Sequence, residues 1–248
     1  MRAGDRPEFD TEADKQIYKY VERHGTATRP AVQQAVSLPP EEFRERLEHL
    51  TSTGYLAEEG GSLRLALDLG SVEEFEGASF EYVVRPGHYG DFDGLVDCIR
   101  DVTSEESYVI AESVAEELLY DDTVTRHNTV ESRMFFVATV DQEIVGWTHL
   151  DLPQVEKLRE TAEQTVGVRP AYRGEGVGSA LLHRGLDWAE ANGYRKVYNS
   201  IPATNEMALD FLANHGWSTE GVRKQHYTLG DERVDEVMMA YEIDGVGR

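Results

Sequence analysis

Val166 to Leu182 reads V-G-V-R-P-A-Y-R-G-E-G-V-G-S-A-L-L, and three of its four glycines, Gly174, Gly176 and Gly178, fall at alternating positions. A short apolar strand precedes them and an amphipathic pattern follows to about Asn192, so the order is strand, glycine turn, helix. Glycine lets the backbone approach a ligand closely and take angles that other residues resist. The helix's first turn adds free N–H groups and the positive end of its dipole, which together suit phosphate oxygens. Two phosphate-binding signatures do not fit. A Walker A loop is excluded because no Lys-Ser or Lys-Thr follows the last glycine. A dinucleotide fingerprint would start its glycines at the strand end and close the next strand on an acidic residue. Here Arg169-Pro170-Ala171-Tyr172-Arg173 intervenes, and Lys196 to Ser200 closes without one.

Around this stretch lie 248 residues, enough for one large domain or two modest ones. The chain has 47 acidic against 24 basic residues, a formal charge of -23, with lysine only at Lys15, Lys19, Lys157, Lys196 and Lys224. Hydrophobic residues make up 40%, which supports a real core and excludes a disordered acidic tail. Such an acid excess on a well-patterned sequence is the expectation for a salt-loving (halophilic) source, where counter-ions screen self-repulsion. The single cysteine, Cys98, excludes an internal disulfide and a CxxC metal site, and its amphipathic surroundings predict a buried thiol. No apolar run approaches a membrane span, and Met-Arg-Ala-Gly-Asp-Arg-Pro lacks a signal-peptide core, so a soluble, cytoplasmic protein is expected.

Residues 1–70 are expected to form a unit of their own. Ile17, Tyr18 and Val21 mark a helix ending at His24-Gly25; Thr28 to Val36 reads as a second helix, and Pro39 to Thr53 as a third with Phe43, Leu47 and Leu50 on one face. Two short apolar runs about Gly60-Gly61 then read as a hairpin. This order resembles a winged helix-turn-helix, as in MarR-like regulators. The resemblance implies DNA binding through the third helix, yet Glu41, Glu42, Glu45 and Glu48 accompany only Arg44 and Arg46 there, against the cations that phosphate contacts need. A protein-contact or homodimer role is therefore the favoured expectation, with DNA possible. Residues 71–79, rich in Gly, Ser and Glu, are expected to be a linker, and residues 80–248 a second domain.

In that second domain the expected order is a strand ending at Arg85-Pro86, two helices, a hairpin about Asp141, the strand ending at Val168, and the glycine-turn helix. A strand, a helix from Asn205 and two final strands follow. With Arg173-x-x-Gly176-x-Gly178, the order resembles the GNAT (Gcn5-related) N-acetyltransferases over some 160 residues. The expected fold is α/β (α+β), a GNAT fold with a mixed central sheet preceded by a small winged-helix domain. The resemblance implies acetyl-CoA as co-substrate and transfer of acetyl to a primary amine of a small molecule, a peptide N-terminus or a lysine.

The same resemblance assigns Val166, Gly167 and Val168 to the pantetheine and acetyl carbonyl, and Arg173, Gly174, Glu175, Gly176, Val177, Gly178 and Ser179 to the pyrophosphate. Asn205-x-x-Ala208-x-x-Phe211-Leu212-x-x-x-Gly216-Trp217 resembles a second family block, with Asn205 capping its helix and reaching the pantetheine. Two positions depart. Leu212 stands where many relatives carry a proton-donating tyrosine, and Ser200 where ribosomal-protein alanine acetyltransferases carry a glutamate. Glu163 is the candidate base and Tyr227 the candidate acid in their place; His149 and His215 read as structural. No His, Cys or carboxylate grouping has metal-ligand spacing, so no metal is expected. Glu105, Glu106, Glu112, Asp121 and Asp122, bordering the expected acceptor side, suit a cationic amine. The alternative is an acyl-CoA-sensing, DNA-binding regulator whose GNAT domain is weak or inactive.

Overall fold

A computed structural model describes residues 7–104, 109–121, 123–128 and 131–243. The chain begins with α1 (Glu12–His24), β1 (Thr26–Thr28), α2 (Arg29–Val36), α3 (Pro40–Ser52) and a hairpin of β2 (Leu56–Glu59) and β3 (Ser62–Leu65). Thr11 caps α1 by accepting from the Asp14 amide at 3.1 Å. The three helices bury Ile17, Val21, Val32, Phe43, Leu47 and Leu50 against Leu56 and Leu63. Each such side chain contributes about 1.5–3 kcal/mol when fully buried. The three strands form a small sheet of order β1-β3-β2. Thr26-Ala27-Thr28 is too short to show a period in sequence; it is a strand only because β3 pairs with it.

The stretch after Leu65 is fastened along its length, despite a composition that reads as flexible. Arg184 donates to the carbonyls of Leu69 (2.7 Å) and Ser71 (2.9 Å), and Trp188 Nε1 to that of Asp68 (2.9 Å). β4 (Glu73–Glu76) pairs antiparallel with β5 (Glu81–Pro86), so part of the expected linker is the edge strand of the larger sheet. The Glu175 carboxylate, inside the glycine turn, accepts from the amides of Ala78 and Ser79 at 2.8 and 3.1 Å.

The larger sheet is completed by β6 (Arg126–His127), β7 (Glu131–Val140), β8 (Glu143–Pro153), β9 (Thr161–Val168), β10 (Lys196–Pro202), β11 (Ser218–Leu229) and β12 (Glu232–Glu242). Its order is β11-β12-β10-β9-β8-β7-β5-β4, with β6 on β7, and β9 with β10 is the parallel pair in an otherwise antiparallel set. On one face α4 (Phe92–Thr103) and α5 (Val109–Asp121) bury Leu95, Ile99, Val114 and Leu118 against Phe135 and Trp147. Cys98 is fully buried there, and burial pushes its thiol up to about 11, which removes it as a nucleophile. On the other face lies α6 (Val177–Ala191), and α7 (Glu206–Asn214) meets its start, with Phe211 beside Gly178. Among the described residues no helix is long and apolar enough to cross a membrane.

The two units share one continuous apolar core. They are also joined by polar contacts. The Tyr18 hydroxyl, buried at the root of α1, donates to the His127 carbonyl at 2.9 Å, and Glu22 accepts from Arg126 and Asn128. Tyr18→Phe removes this buried hydrogen bond, so a loss of about 0.5–1.5 kcal/mol is expected. A denaturant midpoint equal to that of the parent chain would show that this contact does not hold the units together.

Candidate active site

The parallel pairing of β9 and β10 runs only from Thr161 and Lys196 to Glu163 and Tyr198, although β9 continues to Val168 and β10 to Pro202. Beyond that rung the strands separate. Asn199 closes the fork: its side-chain amide donates to the Gln164 carbonyl, satisfying the first backbone acceptor that β10 no longer meets. Into the fork opens a cavity of about 480 Å³. Its walls are Thr165 to Val168 from β9, Asn199 to Pro202 from β10, Val109 to Ala111 from α5, and Ala208, Phe211 and Leu212 from α7. It reaches Arg173, Gly174, Gly176, Gly178 and Ser179 at the start of α6.

The glycine turn has a local cause. Pro170 opens a single 3-10 turn ending at Tyr172, after which Gly174 (φ 82°) and Gly176 (φ 89°) take left-handed angles. Gly176 is the N-cap of α6 and has no side chain to satisfy the first-turn amides, so these remain available to a ligand. Buried Gln164 fixes α6 on β9 by donating to Thr148 Oγ1 and to the Leu182 carbonyl, both at 3.0 Å. Gly167 allows a second close approach: a Cβ there would lie 2.7 Å from Nε1 of the fully buried Trp147. Gly167→Ala is expected to cost about 1–3 kcal/mol by forcing that ring to move. Thermal unfolding checks this, and an unchanged midpoint would mean the indole can shift freely.

Of the residues singled out in sequence, Val166, Gly167, Val168, Arg173, Gly174, Gly176, Gly178, Ser179 and Asn205 are brought to the cavity. Arg173 folds back, its Nε donating to the Val168 carbonyl at 3.0 Å. Asn205 caps α7 by accepting from Ala208 N at 3.1 Å. Two residues of the turn point elsewhere: the Glu175 carboxylate is spent on the Ala78–Ser79 backbone, and Val177 is buried in the core. Glu163 is not among the residues that line the cavity; it lies at the last paired rung, on the same face as cavity-lining Thr165 two residues on. Burial and the carboxylates of Asp151, Glu117 and Glu236 push Glu163 up to about 7. Tyr198, its partner across the rung, is pushed up to about 12 by burial and by Glu163 and Asp151.

Tyr227 does not reach the cavity wall. Its hydroxyl donates to Glu236 at 3.1 Å, and burial with that carboxylate raises its pKa, which makes it a weaker acid. Glu236 is buried and gathers four partners, because an irregularity in β11 between Arg223 and Tyr227 turns Arg223, His226 and Tyr227 toward it while Ser200 reaches it from β10. Burial alone would raise the Glu236 pKa; the hydrogen bonds from Ser200 and Tyr227 and the charge of Arg223 and His226 outweigh it and lower the value. No local sequence signal marks this cluster, which forms only when β10, β11 and β12 pair.

The histidines behave differently from each other. His149 is buried beside Arg133, and burial first, then that charge, pushes it down to about 3, so it stays neutral. His215 Nδ1 meets the Phe211 carbonyl at 2.7 Å and so carries the proton, leaving Nε2 to accept from cavity-lining Ser179 at 2.9 Å in the neutral ring. Glu112 is exposed on α5, Asp121 ends that helix, and Glu105, Glu106 and Asp122 lie outside the described residues. Among the described residues no three His, Cys, Asp or Glu side chains converge as a metal site requires.

Comparison with known proteins agrees with this architecture. Residues 97–217 match the acetyltransferase (GNAT) family. An uncharacterized N-acetyltransferase of Methanocaldococcus jannaschii is 33% identical over 94 residues, 36% of this chain and 41% of that protein. The [ribosomal protein bS18]-alanine N-acetyltransferase of Escherichia coli K12 is 29% identical over 86 residues, 35% of this chain and 58% of that enzyme. The chain thus spans about half the length of the curated relatives it matches. Among solved structures, a Salmonella typhimurium acetyltransferase with its cofactor acetyl-CoA superposes with a TM-score of 0.52 at 18% identity, covering 66% of this chain and 94% of that one, a likeness of fold.

Proposed function

We propose that this chain, which carries a GNAT acetyltransferase domain over residues 97–217, transfers acetyl from acetyl-CoA to a primary amine. The observation that carries this reading is the fork between β9 and β10, whose cavity runs without a break from Thr165 and Ser200 to the glycine turn of α6. Backbone amides from Gly174 to Gly178 and the α6 dipole hold the pyrophosphate, and the edge of β9 released by β10 pairs with the pantetheine. The fold-related Salmonella acetyltransferase was solved with its cofactor acetyl-CoA, and the GNAT family match supports reading acetyl-CoA as the co-substrate here.

Glu163 is the base in this reading. It accepts a proton from the incoming ammonium, and the freed nitrogen lone pair attacks the thioester carbonyl carbon. The C–N bond forms and the C–S bond breaks, with its electron pair leaving on sulfur. The thiolate takes up the proton that the attacking nitrogen sheds, so no net redox change occurs. A carboxyl group titrating near 7 binds a proton more tightly than an ordinary carboxylate, which suits a base, and is ionised for about half its population at neutral pH. Tyr227 supports Glu236 rather than the leaving group.

The order α1, β1, α2, α3 and the β2–β3 hairpin supports reading residues 7–65 as a winged helix with β2 and β3 as its wing. On α3 Arg44 is paired with Glu41, and Arg46 with Glu45 and Asp14. Cations already held by carboxylates are poor phosphate ligands, which favours a bracing or protein-contacting role over a DNA-bound regulator. The acidic surface accords with a high-salt setting. The test is calorimetric titration of acetyl-CoA into the full chain in concentrated potassium chloride, followed by thiol release with primary amines, including a peptide with N-terminal alanine. Binding with thiol release supports the reading; an absence of both overturns it.

A further inference from the structure

The protonation of the Glu236 cluster fixes which way Ser200 faces. Glu236 is ionised and can only accept, so the Ser200 hydroxyl must donate its proton to it. The Ser200 oxygen then has nothing but lone pairs left to offer the cavity that it lines. Thr165, across the fork, also lines the cavity, is 6% exposed, and its Oγ1 has no hydrogen-bond partner among the described residues. Strand alternation and register put Glu163, Thr165, Tyr198 and Ser200 on one face, under α5. Ser200 and Thr165 thus offer acceptor oxygens at one end of the cavity, and Glu163, although not part of its wall, lies two residues before Thr165 on the same face of β9.

We propose that Ser200 Oγ, Thr165 Oγ1 and the Glu163 carboxylate form a three-acceptor cradle for a primary ammonium, with Glu236 the positioning residue that turns Ser200 into an acceptor. This deepens the acetyltransferase reading and rests on it for the identity of the reacting end. A primary ammonium has three N–H donors, one for each acceptor. A tertiary ammonium has one, and an alcohol has a single O–H and no charge. The two hydroxyls hold the nitrogen while Glu163 removes the third proton. Asp151 and Glu117 keep the surroundings negative, although Arg133, 3.6 Å from Glu117, moderates them.

The test uses the full chain with acetyl-CoA, n-butylamine as the probe, N,N-dimethylbutylamine and 1-butanol as controls, and the variants Ser200→Ala, Thr165→Val and Glu236→Gln. Each variant removes or misdirects one hydrogen bond to a charged group. The KM for n-butylamine is expected to rise about tenfold or more in each, with the acetyl-CoA dissociation constant within twofold of the parent. In Glu236→Gln the amide can donate to Ser200 and turn its hydroxyl proton toward the cavity, so that variant should weaken n-butylamine while acetyl-CoA binding is unchanged. Unchanged amine KM in Ser200→Ala and Thr165→Val overturns the cradle. So does an equal loss for amine and acetyl-CoA, which would indicate general damage, or binding of the controls as tight as that of n-butylamine. If acetyl-CoA binds without thiol release, calorimetric titration of n-butylammonium into the CoA complex reads the same variants. If acetyl-CoA does not bind, the acetyltransferase reading fails, and n-butylammonium titrated into the free chain still decides the cradle: about tenfold weaker binding in Ser200→Ala supports it, and no binding to the parent overturns it.

Discussion

Gly176→Val is expected to weaken acetyl-CoA binding by about two to four orders of magnitude while leaving the rest of the fold in place. Gly176 holds φ 89° as the N-cap of α6, a conformation that costs a β-branched residue on the order of 1–3 kcal/mol. The turn would relax by swinging its amides off the line of the helix. Losing one amide hydrogen bond to a charged oxygen costs about 1.5–3 kcal/mol more, and every 1.4 kcal/mol is about tenfold in affinity. The nearest atom to an added Cβ is the Tyr82 hydroxyl at 3.4 Å, so a steric clash does not account for the loss. Calorimetry with acetyl-CoA checks it, alongside circular dichroism. An affinity within threefold of the parent would mean that the α6 amides do not hold the pyrophosphate.

The legibility of this site in the sequence follows the range over which each residue acts. Gly174 and Gly176 act through their own backbone angles, so the glycine pattern itself points to the turn beside the cavity, which Gly178 also lines. Asn205 was equally readable, because an N-cap meets an amide three residues on. Glu175 falls inside the same turn, yet its carboxylate is used about a hundred residues away in the chain, on Ala78 and Ser79, and nothing local predicts that. β4 and β1 are strands by virtue of their partners rather than their own pattern. The Ser200–Glu236–Tyr227 cluster is the furthest from reach. Ser200 and Tyr227 could be named as a departure and a candidate acid, but their common partner Glu236 lies on a third strand, and only the register of β10, β11 and β12 brings the three together.

Glu163→Gln should lower kcat by about 10²- to 10⁴-fold, the usual range for a lost general base, with acetyl-CoA affinity retained. The pH profile separates this role from a structural one. Glu163 is pushed up to about 7 because it is half-buried and faces Asp151, Glu117 and Glu236, with Tyr198 across the rung. The parent's kcat/KM should therefore rise with pH through about 7 as the carboxylate ionises, and that limb should vanish in the variant. Stability should move the opposite way. The unfolded carboxyl titrates near 4.3, so between that value and about 7 the folded chain holds the proton more tightly. The stability this contributes is present at pH 4 and lost as pH rises through 7. Glu163→Gln, which cannot ionise, should match the parent's unfolding midpoint near pH 4 and exceed it at pH 8. A group kept in its place against its own contribution to stability is kept for the reaction, so a variant that is slower and more stable at pH 8 is the signature of a base. A variant that is slower but less stable at pH 8, with the limb intact, would return Glu163 to the scaffold.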